Sequence, residues 1–78
     1  LDKVDDELKV LLQRFRELTP KQIQVLSYLR AGLMNKQIAH EMNVTEATIK
    51  AHISAILRKL EINTRTQAVL LMDKLQLS

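Results

Sequence analysis

Apolar residues recur at helical intervals along almost the whole of this chain. In the first segment Val4, Leu8, Leu11, Leu12 and Phe15 stand at i, i+4, i+7, i+8 and i+11, which lines them along one side of a helix. Asp2, Asp5, Asp6 and Glu7 gather near its start, and Arg14 and Arg16 near its end, as the helix dipole favours. A second start follows at Leu18-Thr19-Pro20-Lys21-Gln22. Thr19 is placed as N-cap, Pro20 as the first helical residue, and Gln22 to close a capping box, with Leu18 and Ile23 set for a hydrophobic staple. Ile23, Leu26 and Leu29 then predict a buried stripe with Val25 on its flank, and Gly32 sits where a left-handed cap would end the helix.

A short helix is expected over about Lys36 to Met42, with Asn35 as its N-cap and Ile38, Ala39 and Met42 inward. Asn43-Val44 makes a very short turn, and asparagine tolerates left-handed backbone better than most residues with a side chain. Thr45 then caps a long helix that begins at Glu46 and runs to about Leu60. Thr64 and Gln67 repeat the capping-box spacing ahead of a last helix ending near Leu75. Five helices and no strand predict an all-α protein.

At 78 residues the chain has mass for one domain, and a hydrophobic fraction of 46% is globular rather than disordered. There is no cysteine, which removes disulfides, thiolate metal sites and cysteine nucleophiles. His40-Glu41 could open an H-E-x-x-H zinc motif, but position 44 is Val44. No apolar run approaches the roughly 18 residues of a membrane span. No nucleophile–base pair, carboxylate pair, phosphate loop or metal cluster stands out, so an enzyme is the least expected class. The chain begins with Leu1 rather than Met, and a longer parent protein is expected.

Charge changes the picture. Twelve basic against nine acidic residues give a net +3. Residues 1–18 hold four basic and five acidic groups, a net −1, and residues 19–78 hold eight and four, a net +4. A basic body behind a mildly acidic leader points to a polyanionic partner.

Two helices joined by about three residues, with the small Ala39 on the first, describe a helix-turn-helix, with Val44 and Ile49 plugging the angle between them. On the second helix Ile49, Ile53, Ile56, Leu57 and Leu60 form the inward face. The opposite arc holds Ala47, Lys50, Ala51, Ser54, Ala55 and Arg58, and no acid follows Glu46 on it. A helix entering a major groove needs such short residues for close approach and bases for phosphates, and Lys36, Arg58, Lys59 and Arg65 can flank it.

These residues carry a resemblance. Leu18-Thr19-Pro20, Gly32-Leu33, Asn35-Lys36-Gln37-Ile38-Ala39, Val44-Thr45-Glu46, Thr48-Ile49-Lys50-Ala51-His52, Ile56-Leu57-Arg58-Lys59-Leu60 and Arg65-Thr66-Gln67-Ala68-Val69 follow one another in order and without gaps. Residues 18–75 resemble the LuxR/GerE-type helix-turn-helix domain, the effector module of NarL/FixJ response regulators and of quorum-sensing regulators. The resemblance implies a four-helix DNA-binding domain over residues 18–78, preceded by an amphipathic linker helix over residues 1–17. It implies that the helix 45–60 reads the major groove of double-stranded DNA. Lys50, Ala51 and Ser54, with Ala47, would face base edges, and Lys36, Thr45, Thr48, Arg58 and Lys59 would hold phosphates. His52 is expected at the edge of the buried stripe as a packing or hydrogen-bonding residue rather than a direct DNA ligand, and His40 on the surface. No cofactor and no metal are implied.

Four positions depart from the family pattern. Glu61 stands where glycine commonly ends the reading helix, so that end is expected to fray, extend or pass its cap to Asn63. Ala55 replaces a common asparagine, Asn43 a turn glycine, and Met34 a small or capping residue. With Ala47 and Ala51, these leave few direct base contacts, so sequence preference would rest partly on DNA shape.

On the last helix Ala68, Leu71, Met72 and Leu75 share the core face, and Val69, Leu70, Asp73 and Leu77 fall on the other side. Apolar residues on two faces suggest a partner. The resemblance makes it a second copy, a homodimer weak without DNA; the competing occupant is the Leu1–Glu17 helix of the same chain. The expected function is the output domain of a bacterial two-component response regulator, cytoplasmic and on the nucleoid when bound, with a receiver or ligand-binding domain upstream and no membrane contact. The competing readings are a quorum-sensing-type regulator, the promoter-binding region of a sigma factor, and a helical module that binds only protein.

Overall fold

The computed structural model describes residues 2–75, with side chains described from Asp6 onward. Its elements are α1 (Asp2–Arg16), α2 (Pro20–Arg30), α3 (Asn35–Met42), α4 (Glu46–Leu60) and α5 (Arg65–Leu75), with no strand among the described residues. The all-α, helix-turn-helix architecture is the one expected. Helix α4 is its axis, and α1, α2, α3 and α5 all pack on it.

The helices start where their caps put them. Thr19 Oγ1 accepts the Gln22 N–H at 3.1 Å, and Gln22 Oε1 accepts the Thr19 N–H at 2.9 Å, so the capping box is closed. Thr45 Oγ1 accepts the Thr48 N–H at 3.2 Å, and Thr64 Oγ1 accepts the Gln67 N–H at 3.1 Å. Each such cap is worth about 1 kcal/mol. Helix α3 begins one residue earlier than expected. Its N-cap is Met34, whose N–H donates to Gln37 Oε1 at 2.8 Å, so the glutamine supplies the polar group the methionine lacks. Asn35 is therefore inside the helix, and its Oδ1 is buried with no hydrogen-bond partner among the described residues.

Helices α2, α3 and α4 stop in one way. A left-handed residue lies just past each end: Gly32 at φ 90°, two residues beyond α2, and Asn43 at φ 57° and Glu61 at φ 55°, directly after α3 and α4. The next N–H then reaches back to a carbonyl five residues earlier, Leu33 to Tyr28, Val44 to Ala39 and Ile62 to Leu57, at 3.1, 2.9 and 3.0 Å. Leu33, Val44 and Ile62 pack against the core, so an apolar residue pulls each reversal inward. The end at Glu61 neither frays, extends nor passes to Asn63; Glu61 takes the glycine conformation itself. Burial of Ile62 and the two returning hydrogen bonds hold it there, against about 1–2 kcal/mol for a left-handed residue with a side chain.

The core comprises Phe15, Leu18, Val25, Leu26, Leu29, Ile38, Ala39, Ile49, Ile53, Ile56, Leu60, Ala68 and Met72. Each fully buried aliphatic among them contributes about 1.5–3 kcal/mol relative to exposure. On α2 the buried set is Gln22, Val25, Leu26 and Leu29, a clean i, i+3, i+4, i+7 stripe. Ile23 falls outside it and is 45% exposed, so neither the expected stripe nor a buried staple includes it. A polar side chain takes that place because Gln22 finds partners inside. Helix α1 buries only its last turn well, through Phe15. Leu8 and Leu11 are half-buried and Leu12 is exposed, while the side chain of Val4 lies outside the described residues. Among the described residues no helix is long and apolar enough to cross a membrane, and no group of three metal-binding side chains occurs.

The left-handed end of α4 makes a stability prediction. Glu61→Gly and Glu61→Ala both lose the exposed ion pair to Arg14, but only glycine relieves the backbone. The glycine variant should be more stable than the alanine variant by about 1 kcal/mol in urea denaturation. Equal midpoints would show that the backbone there carries no strain.

Candidate nucleic-acid interface

Helix α4 has two faces with opposite duties. Ile49, Ile53, Ile56 and Leu60 are buried, and Leu57 packs beside them. At about 100° per residue, positions 47, 50, 51, 54 and 58 must point away from that stripe. Ala47, Lys50, Ala51, Ser54 and Arg58 are all exposed, and Ala55 is half-buried at the border. The exposed arc is a narrow, low surface with a cation near each end and no carboxylate between Glu46 and Glu61.

The turn between α3 and α4 sets the angle at which this face is offered. Ala39 is 5% exposed and Ile49 fully buried, so the helices meet closely where a larger residue at 39 would hold them apart. Val44 packs beneath the turn, as expected. Thr45 is exposed at the N-cap, its Oγ1 3.0 Å from Thr48 Oγ1, so two hydroxyls stand together at the positive end of the helix. Lys36, exposed on the first turn of α3, lines a cleft with Glu46, Asn35, Arg65 and Thr66. Arg65 Nη2 lies 3.5 Å from the Leu33 carbonyl oxygen, a long contact that faces the start of α5 toward the α2–α3 turn. Lys36, Thr45, Thr48, Lys50 and Arg58 thus lie on α3, α4 and the turn between them.

Lys59 does not join them. It lies nine residues, or about 180°, from Lys50 around the helix. Its Nζ donates to the Glu17 carbonyl oxygen and to Gln22 Oε1, both at 3.0 Å. The expected phosphate ligand is committed to the α1–α2 junction, because the buried Gln22 and the open end of α1 offer it two acceptors. Sequence reasoning missed this role; the signal available was the angular position of Lys59 itself. His52 is half-buried beside the stripe and His40 is exposed.

The outer side of α5 is less open than its pattern suggested. Helix α5 packs on both α2 and α4, and its covered arc is wide enough to take in Val69. Val69 is half-buried against the core and lines the cleft with Leu29 and Gly32. Asp73 Oδ1 pairs with Arg30 Nε at 2.7 Å within the chain. Leu70, 61% exposed, is the open apolar residue of this face, and Leu77 lies outside the described residues.

Known proteins share both sequence and shape. The family model for bacterial regulatory proteins of the luxR family matches residues 16–72. A glycerol metabolism activator of Pseudomonas putida is 53% identical over 53 residues, 68% of this chain and 24% of that protein. The nitrate/nitrite response regulator protein NarP of Escherichia coli is 46% identical over 57 residues, 73% of this chain and 26% of that protein. The chain thus spans about a quarter of the length of these curated relatives. The solved structure of the response regulator StyR superposes on 94% of this chain and 37% of its own, with a TM-score of 0.88 and 37% identity. Sequence, fold and the basic face of α4 agree: this chain belongs to the LuxR family of bacterial regulatory proteins, as a helix-turn-helix DNA-binding domain.

Proposed function

We propose that this domain is the output end of a two-component response regulator, laying α4 in the major groove of double-stranded DNA. The observation that carries this reading is the exposed arc of α4, small and basic, on the side opposite its buried stripe. Lys50, Ser54, Ala51 and Ala47 face base edges. Lys50 and Ser54 supply hydrogen bonds, and the two alanines allow approach and apolar contact. Lys36, Thr45, Thr48 and Arg58 hold phosphates on either side, and the paired threonine hydroxyls sit at the helix N-terminus, where an anion is favoured. The names of NarP and StyR as response regulators support a receiver domain upstream and a cytoplasmic setting. A second copy pairs through α5, with Leu70 at the centre and Val69 and Asp73 at its edge. A single exposed leucine per helix makes that pairing weak without DNA.

Selection of bound sequences from random duplexes tests the reading directly. Binding should fall steeply with salt, the log–log slope steepening by about 0.9 for each phosphate neutralised. Duplex affinity insensitive to salt would remove DNA as the partner.

Reading and holding separate by mutation. Lys50→Ala should weaken the selected duplex by about 1–3 kcal/mol and random duplex much less. Lys36→Ala should weaken both equally and reduce the salt slope by about 1. The reverse pattern, measured by fluorescence anisotropy on both duplexes, would mean that another face of the domain meets the groove.

Pairing predicts half-sites centred about 10–10.5 bp apart and bound cooperatively. Leu70→Glu places its charge in solvent and should abolish cooperativity while leaving binding to one half-site nearly intact. Cooperativity that survives in this variant would locate the pairing surface elsewhere.

A further inference from the structure

Lys59 is on α4, yet its ammonium faces away from the exposed arc and ends among the residues that join α1 to α2. Both of its hydrogen bonds, to the Glu17 carbonyl and to Gln22 Oε1, are 3.0 Å long. Gln22 is a buried polar residue, 7% exposed, and the same Oε1 also takes the Thr19 N–H at 2.9 Å. One amide oxygen therefore belongs at once to the capping box of α2 and to the cation of α4. The other acceptor is a carbonyl just past the C-terminus of α1, where unpaired carbonyls carry partial negative charge and favour a lysine. Two residues along, Glu61 Oε2 meets Arg14 Nη2 at 3.0 Å. These contacts bracket the fully buried Leu60 and fasten the end of α4 to the last turn of α1 and the first of α2.

The other end of α4 is held separately, by the turn from α3. A rod held at one end swings about it. From the cap at Thr45 to Ser54 the axis runs about 13 Å, so a tilt of about 5° about the turn moves Ser54 by about 1 Å. Hydrogen bonds to base edges tolerate only a few tenths of an ångström, whereas phosphate contacts from long cations are far more forgiving.

We propose that Lys59 is a positioning residue for DNA recognition: without touching DNA, it sets the tilt of α4 in the groove by tethering the helix to the α1–α2 junction. The proposal rests on the reading of α4 as the groove helix. It makes Lys59 matter for discrimination between sequences rather than for attraction to the phosphate backbone.

Lys59→Met keeps the aliphatic stem and removes charge and donors, and Lys59→Arg keeps both. Each is compared with the unaltered domain on a selected and a random duplex over a range of salt, at a temperature where circular dichroism shows it folded. Should the methionine variant fail to fold, Lys59→Gln, an uncharged amide of shorter reach, takes its place. The expected result is a loss of about tenfold on the selected duplex, under twofold on random duplex, an unchanged salt slope, and recovery of most of the loss by arginine. Amides of the first turn of α2 should also exchange several-fold faster in the methionine variant without DNA. A salt slope reduced by about 0.9 with equal loss on both duplexes would make Lys59 a phosphate ligand and overturn the proposal. Unchanged discrimination in a folded variant would leave only a stabilising bond and overturn it as well. If the unaltered domain shows no salt-dependent duplex binding, the groove reading itself falls, and the tether loses its function with it.

Discussion

The apolar stripe of α4 is the surface that the other four helices bury. Ile49, Ile56 and Leu60 are fully buried and Ile53 nearly so, and α1, α2, α3 and α5 all pack on this helix. In a 78-residue chain with no disulfide, a single core must supply almost all of the stability, and it is assembled around this element. The same helix carries the exposed basic arc. A 15-residue helix has room for both because its 3.6-residue period separates the two sets of positions by about half a turn. The element proposed to meet DNA is thereby the one on which the other four helices pack.

What directs the chain around this axis is a repeated way of stopping. Three helices end on a left-handed residue followed by an apolar one that folds back onto the core. Gly32 takes that conformation freely and Asn43 with little strain; Glu61 takes it because Ile62 and the returning hydrogen bonds outweigh the cost. The starts are equally repetitive: Gln22, Gln37 and Gln67 each turn a side-chain oxygen back to the backbone N–H at the cap. Because the stops and starts are local, each helix–helix angle is set by a few residues, and the helix-turn-helix corner is specified by little more than Ala39, Asn43, Val44 and Ile49.

Relatives from Pseudomonas putida and Escherichia coli are 53% and 46% identical over the aligned region, within proteins about four times its length. The high superposition on StyR at 37% identity fits that economy. The positions that define the fold are buried or left-handed and tolerate few residue types. The exposed arc of α4 can vary without cost to the core, so family members can share an architecture while this surface differs.

The sequence by itself determined the number and order of the helices and most of their ends, the start of α3 and the stop at Glu61 excepted, because periodicity, threonine caps and left-handed residues act over three to five neighbours. It determined the α4 arc for the same reason, since the angle between positions on one helix needs no tertiary information. Tertiary structure decided what depends on neighbours distant in the chain. Ile23 is outside and Gln22 inside because Lys59, 37 residues on, supplies the partner that makes a buried amide acceptable. Val69 is half-covered and Asp73 paired because α2 packs against α5 and brings Arg30 with it. Lys59 bonds to the α1–α2 junction for the same physical reason. A cation's role is fixed by the acceptors it can reach, and those of Lys59 belong to helices that only folding brings beside it.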